Sequence, residues 1–248
     1  MQQILQNYRA DLFAGQQVWV SGGTSGIGLD IALGFAGLGA EVVATGSSAS
    51  KIAQLRETQP QLQCERLDVT DAAAITRFAA GLSRLDLLVN AAGISRPGQE
   101  YDDEVFVQVL DTNLISVMRQ SMAALPLLEQ SRGSIINIAS MLSYLADAEV
   151  PSYCASKSGV LGLTRALAHR FGAQGVRVNA IAPGYHRTAM TEGLWSDPAA
   201  ADKIAQRTAL KRWGESEDLL GAAVFLASSA AAYVTGATLP VDGGYVSG

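Results

Sequence analysis

Gln17-Val18-Trp19-Val20-Ser21-Gly22-Gly23-Thr24-Ser25-Gly26-Ile27-Gly28 decides the architecture. Residues suited to a buried strand run straight into glycine, and Leu29, Ile31, Ala32, Phe35 and Leu38 then continue at helical spacing. Strand, glycine turn and helix in that order are the context a dinucleotide-binding turn needs. Gly22, Gly26 and Gly28 permit a tight turn and close approach to a pyrophosphate, whose charge is met by the amides at the helix start. Thr24, Ser25 and Ile27 belong to the same turn. The spacing is GxxxGxG and not GxGxxG, so a plain glycine-rich turn is the competing reading.

Outward from that turn the chain alternates. A second strand, Glu41-Val42-Val43-Ala44-Thr45, ends at Gly46-Ser47-Ser48. An NAD site offers a carboxylate near here for the ribose 2′-hydroxyl. None is present, and Glu41 lies at the wrong end of the strand. Thr45, Ser47, Ser48 and Lys51 can hydrogen-bond a 2′-phosphate, which favours NADP over NAD although no arginine marks the spot. A serine-rich turn and helix cap is the alternative.

Residues 62–67 form a third strand that ends at Asp68-Val69-Thr70-Asp71, with Asp71 placed to cap the next helix. Residues 85–89 form a fourth, with Asn90-Ala91-Ala92-Gly93 at the carboxyl edge where open α/β sheets bind ligands. Ala91 and Gly93 are small enough for a flat ring to lie close. Asp102-Asp103-Glu104 reads as the acidic start of a long helix. Asn113 stands inside that helix and needs a buried partner, and Pro126 is expected to kink or end it. Residues 134–139 make a fifth strand closed by Ser140, and residues 176–182 a sixth that ends in Pro183-Gly184. A helix over 217–228 and a strand over 238–241 finish the chain. The pattern predicts an α/β fold with a doubly wound, parallel, seven-stranded sheet, a Rossmann-type three-layer sandwich. One catalytic domain spans residues 1–248, with a substrate-covering segment at about 187–212.

Composition narrows the class. The 248 residues are 48% hydrophobic and 17% charged with a mean hydropathy of +0.18, enough for one large core. A net charge of -5 and a pI near 5.0 oppose a nucleic-acid footprint. Cys64 and Cys154 lack the spacing of a metal or disulfide motif. The first residues carry no leader pattern and no run approaches about 18 apolar residues, so a cytoplasmic protein that avoids membranes is expected.

The chemistry centres on Ser152-Tyr153-Cys154-Ala155-Ser156-Lys157, which follows Pro151 at the head of a helical pattern. Tyr153 and Lys157 lie four apart and project from one face. An ammonium beside a phenol favours the phenolate, and lowering its pKa from about 10 to about 7 takes roughly 4 kcal/mol. Such a pair is a general acid and base near neutrality. Read alone, it also fits an aromatic packed beneath an amine. Residues 141–151 carry enough apolar surface to wall a pocket. His169 reads as structural, and His186 as either a pocket or a loop residue.

Taken in order, the glycine turn, Asn90-Ala91-Ala92-Gly93, Asn113, Ser140, Tyr153 with Lys157, and Pro183-Gly184 resemble the short-chain dehydrogenase/reductase family over nearly the whole chain. The carboxyl half is most similar to its ketoacyl-carrier-protein reductase branch. The resemblance implies that Tyr153 exchanges a proton with the substrate oxygen and that Ser140 orients that oxygen. It implies that Lys157 lowers the tyrosine pKa and holds the nicotinamide ribose, and that Asn113 anchors a water relay. Asp68 and Val69 would meet the adenine, Asn90 the adenosine side, and Ile181, Pro183, Gly184 and Thr188 the nicotinamide. The implied activity is hydride transfer between NADP or NAD and a small ketone or secondary alcohol, in a homotetramer. Ser21 replaces the usual threonine and Ala91 the second asparagine, which weakens local hydrogen bonding. The apolar loop, Tyr185 and Trp195 suggest a moderately hydrophobic carbonyl compound, with sugars, steroids and acyl thioesters as the alternatives. A cofactor-binding sensor or scaffold without chemistry is the alternative function.

Overall fold

The computed structural model describes residues 1–248. Seven strands form one parallel sheet: β1 (Gln17–Ser21), β2 (Glu41–Gly46), β3 (Leu62–Arg66), β4 (Leu87–Asn90), β5 (Ser134–Ile138), β6 (Arg177–Pro183) and β7 (Thr238–Val241). Their spatial order is β3-β2-β1-β4-β5-β6-β7. β4 and β5 are buried throughout and β1 from Val18 onward. Strands covered on both faces have no solvent side to display, which is why they read as apolar runs without alternation.

The order reverses between β1 and β4, whose ends pair Ser21 with Asn90. A crevice opens at such a switch point, because the connections leave the two strands toward opposite faces. On one face lie α1 (Gly26–Gly37), α2 (Ala49–Thr58) and α8 (Leu220–Ala227), packed through Ile31, Phe35, Ile52, Leu220 and Val224. The other face is covered by α3 (Ala72–Ala80), α5 (Ser116–Ser131) and α6 (Pro151–Phe171), through Ile75, Leu128, Leu167 and Phe171. Each such side chain contributes about 1.5–3 kcal/mol on burial. α4 (Asp103–Leu110) packs against α6, and α7 (Pro198–Arg207) follows β6. No helix is long and apolar enough to cross a membrane.

Two local readings change. Pro126 does not end its helix: α5 continues to Ser131 with the proline inside it. The lost N–H costs one rung of the ladder, and burial of Ala124 and Leu128 on either side holds the turn in register. The long helix is also not uniform, because α4 reaches α5 through a π turn, Asp111–Ile115, that contains Asn113. Among the first residues, Gln2–Leu5 form a short helix whose preceding terminal amine is ion-paired with Glu217.

Candidate active site

At the end of β1 the chain turns through Gly22, with φ +75, and a Cβ there would lie 2.5 Å from the Ala92 amide nitrogen. Only glycine satisfies both the left-handed backbone and that approach. Gly28 touches the same turn, since its Cβ would meet the Gly22 carbonyl at 2.3 Å. The glycines thus close the turn on itself and on the end of β4. Ser25 leads into α1 without a side-chain cap, so the first amides of the helix face the crevice unmasked by protein. A groove of about 430 Å³ runs over them, lined by Gly22, Thr24, Ser25, Gly26, Ile27 and Gly28 and continuing to Ser47, Asp68 and Val69 at one end. That amide cradle fits the pyrophosphate of a nicotinamide dinucleotide.

The far end of the groove holds Ser47, Ser48 and Lys51. Ser48 caps α2 by accepting from the Lys51 amide. Arg66 extends across from the end of β3, its Nε donating to the Ser47 carbonyl at 3.2 Å. An arginine therefore borders the Ser47 end of the groove, although it is not among the residues that line it. It was invisible along β2 because the β2–β3 register, Gly46 opposite Arg66, delivers it from twenty residues away. Asp68 is tied back by the Thr70 amide and hydroxyl, whose hydrogen bonds hold its carboxyl below the usual range.

Thr45 is a correction: it is fully buried, and its Oγ1 accepts from the Trp19 indole at 3.0 Å. Its side chain points into the sheet packing and away from the cofactor groove. Asn90 is likewise turned inward, donating to Asn137 Oδ1 at 2.9 Å. Its neighbours Ala91 and Gly93 line the groove. Ile181 is buried in the core behind the site. Leu67, Ile94, Arg96, Gln108 and Thr112 line the groove without having been expected.

A smaller hollow of about 110 Å³ adjoins the groove and shares Ile27, Ala91, Gly93, Thr188 and Met190 with it. Ser140, Tyr153, Lys157, Pro183, Gly184 and His186 line this hollow. Ser140 sits just past β5, its Oγ accepting from the Leu142 amide at 3.1 Å and its hydroxyl meeting the Tyr153 phenol. Lys157 is 4% exposed and donates from Nζ to the Ile138 carbonyl at 2.7 Å, with Nζ 5.6 Å from the centroid of the Tyr153 ring. Burial pushes its amine down to about 8. Burial also raises the Tyr153 phenol, against the lowering effect of its hydrogen bond with Ser140. The direction is opposite to that expected from a lysine neighbour, because loss of solvation dominates.

Asn113 finds the buried partners its position required. Its Oδ1 accepts from the Ile94 amide at 2.8 Å, and its Nδ2 donates to the Ile94 carbonyl at 2.9 Å and to Ser156 Oγ at 3.1 Å. The amide thereby fastens the loop after β4 to the middle of α6.

His186 lies in the hollow at 4% exposure, with Nδ1 3.1 Å from the Gly184 carbonyl and a pKa lowered mainly by burial. His169 is exposed in the last turn of α6, where a basic side chain suits the helix dipole. The apolar loop over 141–151 does not wall the hollow, whose lining comes instead from Met190 and Thr191 beyond β6. Tyr185 packs on Trp213 and Tyr245, and the Trp195 indole donates to the Thr188 carbonyl. Neither aromatic offers the hydrophobic substrate wall that the sequence suggested.

Known proteins are similar to this chain over its length. Residues 22–246 match the family model described as Enoyl-(Acyl carrier protein) reductase. The chain is 40% identical over 251 residues to 2-dehydro-3-deoxy-D-gluconate 5-dehydrogenase of Bacillus subtilis (strain 168), covering 97% of this chain and 99% of the relative. It is 39% identical over 250 residues to gluconate 5-dehydrogenase of Gluconobacter oxydans (strain 621H), covering 94% and 96%. The solved structure of a gluconate 5-dehydrogenase from Burkholderia cenocepacia J2315, in complex with NADP and tartrate, superposes with a TM-score of 0.89 at 33% identity over 99% of each chain. The chain belongs to the short-chain dehydrogenase/reductase family, as an NAD(P)-dependent oxidoreductase that moves a hydride between its nicotinamide cofactor and a ketone or secondary alcohol.

Proposed function

We propose that the substrate is a sugar acid or a similar polyhydroxy carboxylate, interconverted between secondary alcohol and ketone with NADP. The observation that carries this reading is the junction of two spaces: the hollow lined by Ser140, Tyr153 and Lys157 shares Ile27, Ala91, Gly93 and Thr188 with the dinucleotide groove. The relatives named for gluconate derivatives support the substrate class. Arg96 supports it chemically. Lys51, at the adenosine end, is the other cation lining the groove, and Lys157 is buried against Ile138; the Arg96 guanidinium spends one donor on the Ser95 carbonyl and keeps the others for a substrate carboxylate.

In the oxidative direction Ser140 turns its hydroxyl hydrogen to the substrate oxygen and fixes the carbinol in place. Tyr153, as phenolate, takes the O–H proton while the carbinol C–H electron pair leaves as hydride; in reduction the phenol returns the proton. Bound NADP supplies the hydride acceptor or donor. Lys157 holds positive charge beside the phenol and presents its amine to the ribose hydroxyls. Asn113 keeps Gly93 and Ile94 against α6, so the ring lies on a fixed surface.

The same reading makes residues 1–248 one catalytic domain whose segment at about 187–212 covers the substrate, supported by Thr188, Met190 and Thr191 at the hollow. It also makes the chain a homotetramer, supported by the exposed stripe of Val107, Ile115, Met118 and Met122 along α4 and α5. The test is a substrate panel with NADP and NAD: gluconate-type acids against the matching neutral polyols and simple ketones, followed by nicotinamide absorbance. Turnover of acids at least about tenfold more efficient than of polyols supports the reading. Preference for neutral or apolar compounds overturns it.

A further inference from the structure

Glu100 is a carboxylate with no exposed surface, and it takes part in none of the molecule's ion pairs. A buried charge must be met by donors, and four are present. Oε1 accepts from the Arg96 amide at 2.7 Å and from Ser95 Oγ at 3.3 Å. Oε2 accepts from Ser152 Oγ at 2.7 Å and from the Tyr153 amide at 2.8 Å. The reason for the second pair is local. α6 begins after Val150, which has no capping atom, and with Pro151, which has no N–H. The first turn of the helix that bears Tyr153 is therefore capped by a side chain from fifty residues earlier.

The first pair attaches the same carboxylate to the loop that lines the cleft. Asn113 joins Ile94 to Ser156 one turn further along α6, so the loop is held at two points and Glu100 makes the outer one. We infer that Glu100 is a positioning residue for hydride transfer, fastening the turn that carries Tyr153 to the Ser95–Arg96 segment, of which Arg96 lines the dinucleotide groove, so that the proton donor keeps a fixed geometry against that groove. This rests on Tyr153 being the proton-transfer group. The charge has a second effect, because a carboxylate beside the Tyr153 backbone opposes formation of the phenolate. The other ionisable groups around this turn are Lys157 and Cys154 on the helix, Asp147 and Glu149 on the loop before it, and His186 beyond β6.

The test compares wild type with Glu100→Gln in three measurements: NADP affinity by fluorescence titration, kcat, and the tyrosinate absorbance titration of Tyr153, isolated by subtracting Tyr153→Phe. Glutamine keeps the volume but sets an NH2 against donors and removes the charge. Expected are NADP affinity within about twofold, kcat lower by about 10- to 100-fold, and a Tyr153 titration displaced to lower pH. A wild-type kcat, or a lowered kcat with the titration unmoved, overturns the proposal. Should Glu100→Gln fail to fold, Glu100→Asp keeps the charge while shortening the clamp: the same loss in kcat at an unmoved titration is expected, and wild-type kcat overturns it. The titration needs no substrate, so an error in the sugar-acid assignment leaves it standing.

Discussion

Lys157 Nζ stands 5.6 Å from the centre of the Tyr153 ring while donating to the Ile138 carbonyl at 2.7 Å. The amine is held by the sheet and presented to the phenol, one helical turn away. Holding it there costs stability. Its pKa is lowered by burial from 10.5 to about 8, so the folded state disfavours the ammonium that the unfolded chain retains. Between those values the unfolded chain binds more protons, and stability from this group rises with pH; below about 8 the penalty is complete. Lys157→Met should lose activity. Its stability relative to wild type should be highest near neutrality and fall by about 3 kcal/mol on going to about pH 10.5. Denaturant unfolding of both proteins across that range checks the sign.

Arg66 stands beside the Ser47 carbonyl, and we propose it as the positive charge for a 2′-phosphate. Arg66→Ala should weaken NADP binding by about tenfold and leave NAD binding within about twofold. Calorimetric titration with each dinucleotide measures the ratio, and an equal loss for both would remove Arg66 from that role.

Ser21 Oγ is buried without a hydrogen-bond partner. Replacing it with alanine removes an unsatisfied polar atom, so Ser21→Ala should leave stability unchanged or raise it by about 1 kcal/mol, with NADP affinity intact. Gly22→Ala is the contrast. A methyl group 2.5 Å from the Ala92 amide on a φ of +75 should prevent the turn from closing and abolish NADP binding. Thermal unfolding with and without NADP distinguishes the two.

The stripe of Val107, Ile115, Met118 and Met122 should be covered by a second copy. Sedimentation is expected to give a tetramer at micromolar concentration, and Met118→Glu with Met122→Glu to give smaller species. A wild-type monomer would contradict the assembly.

Strand and helix order was legible because apolar runs and glycine turns are local signals, and Asn113, Ser140, Tyr153, Lys157 and Gly184 fall where that order places them. Side-chain direction was not. Thr45 and Asn90 both stand at the ligand edge of their strands, yet one is taken by Trp19 and the other by Asn137. Spacing along a chain does not say which partner across the sheet claims a side chain. Arg66 and Glu100 were missed for the same reason, since their roles arise from contacts across a strand pair and across fifty residues. Pro126 does not stop α5, because burial of Ala124 and Leu128 on either side offsets a local propensity.

The central claim is that the Tyr153 phenol exchanges the proton while the groove independently binds the dinucleotide. Steady-state turnover of Tyr153→Phe with a sugar acid, measured beside its NADP affinity, tests it most directly. The account predicts kcat lower by at least about 100-fold with NADP affinity within about threefold of wild type. Turnover near the wild-type rate, with the cofactor still bound, would contradict it.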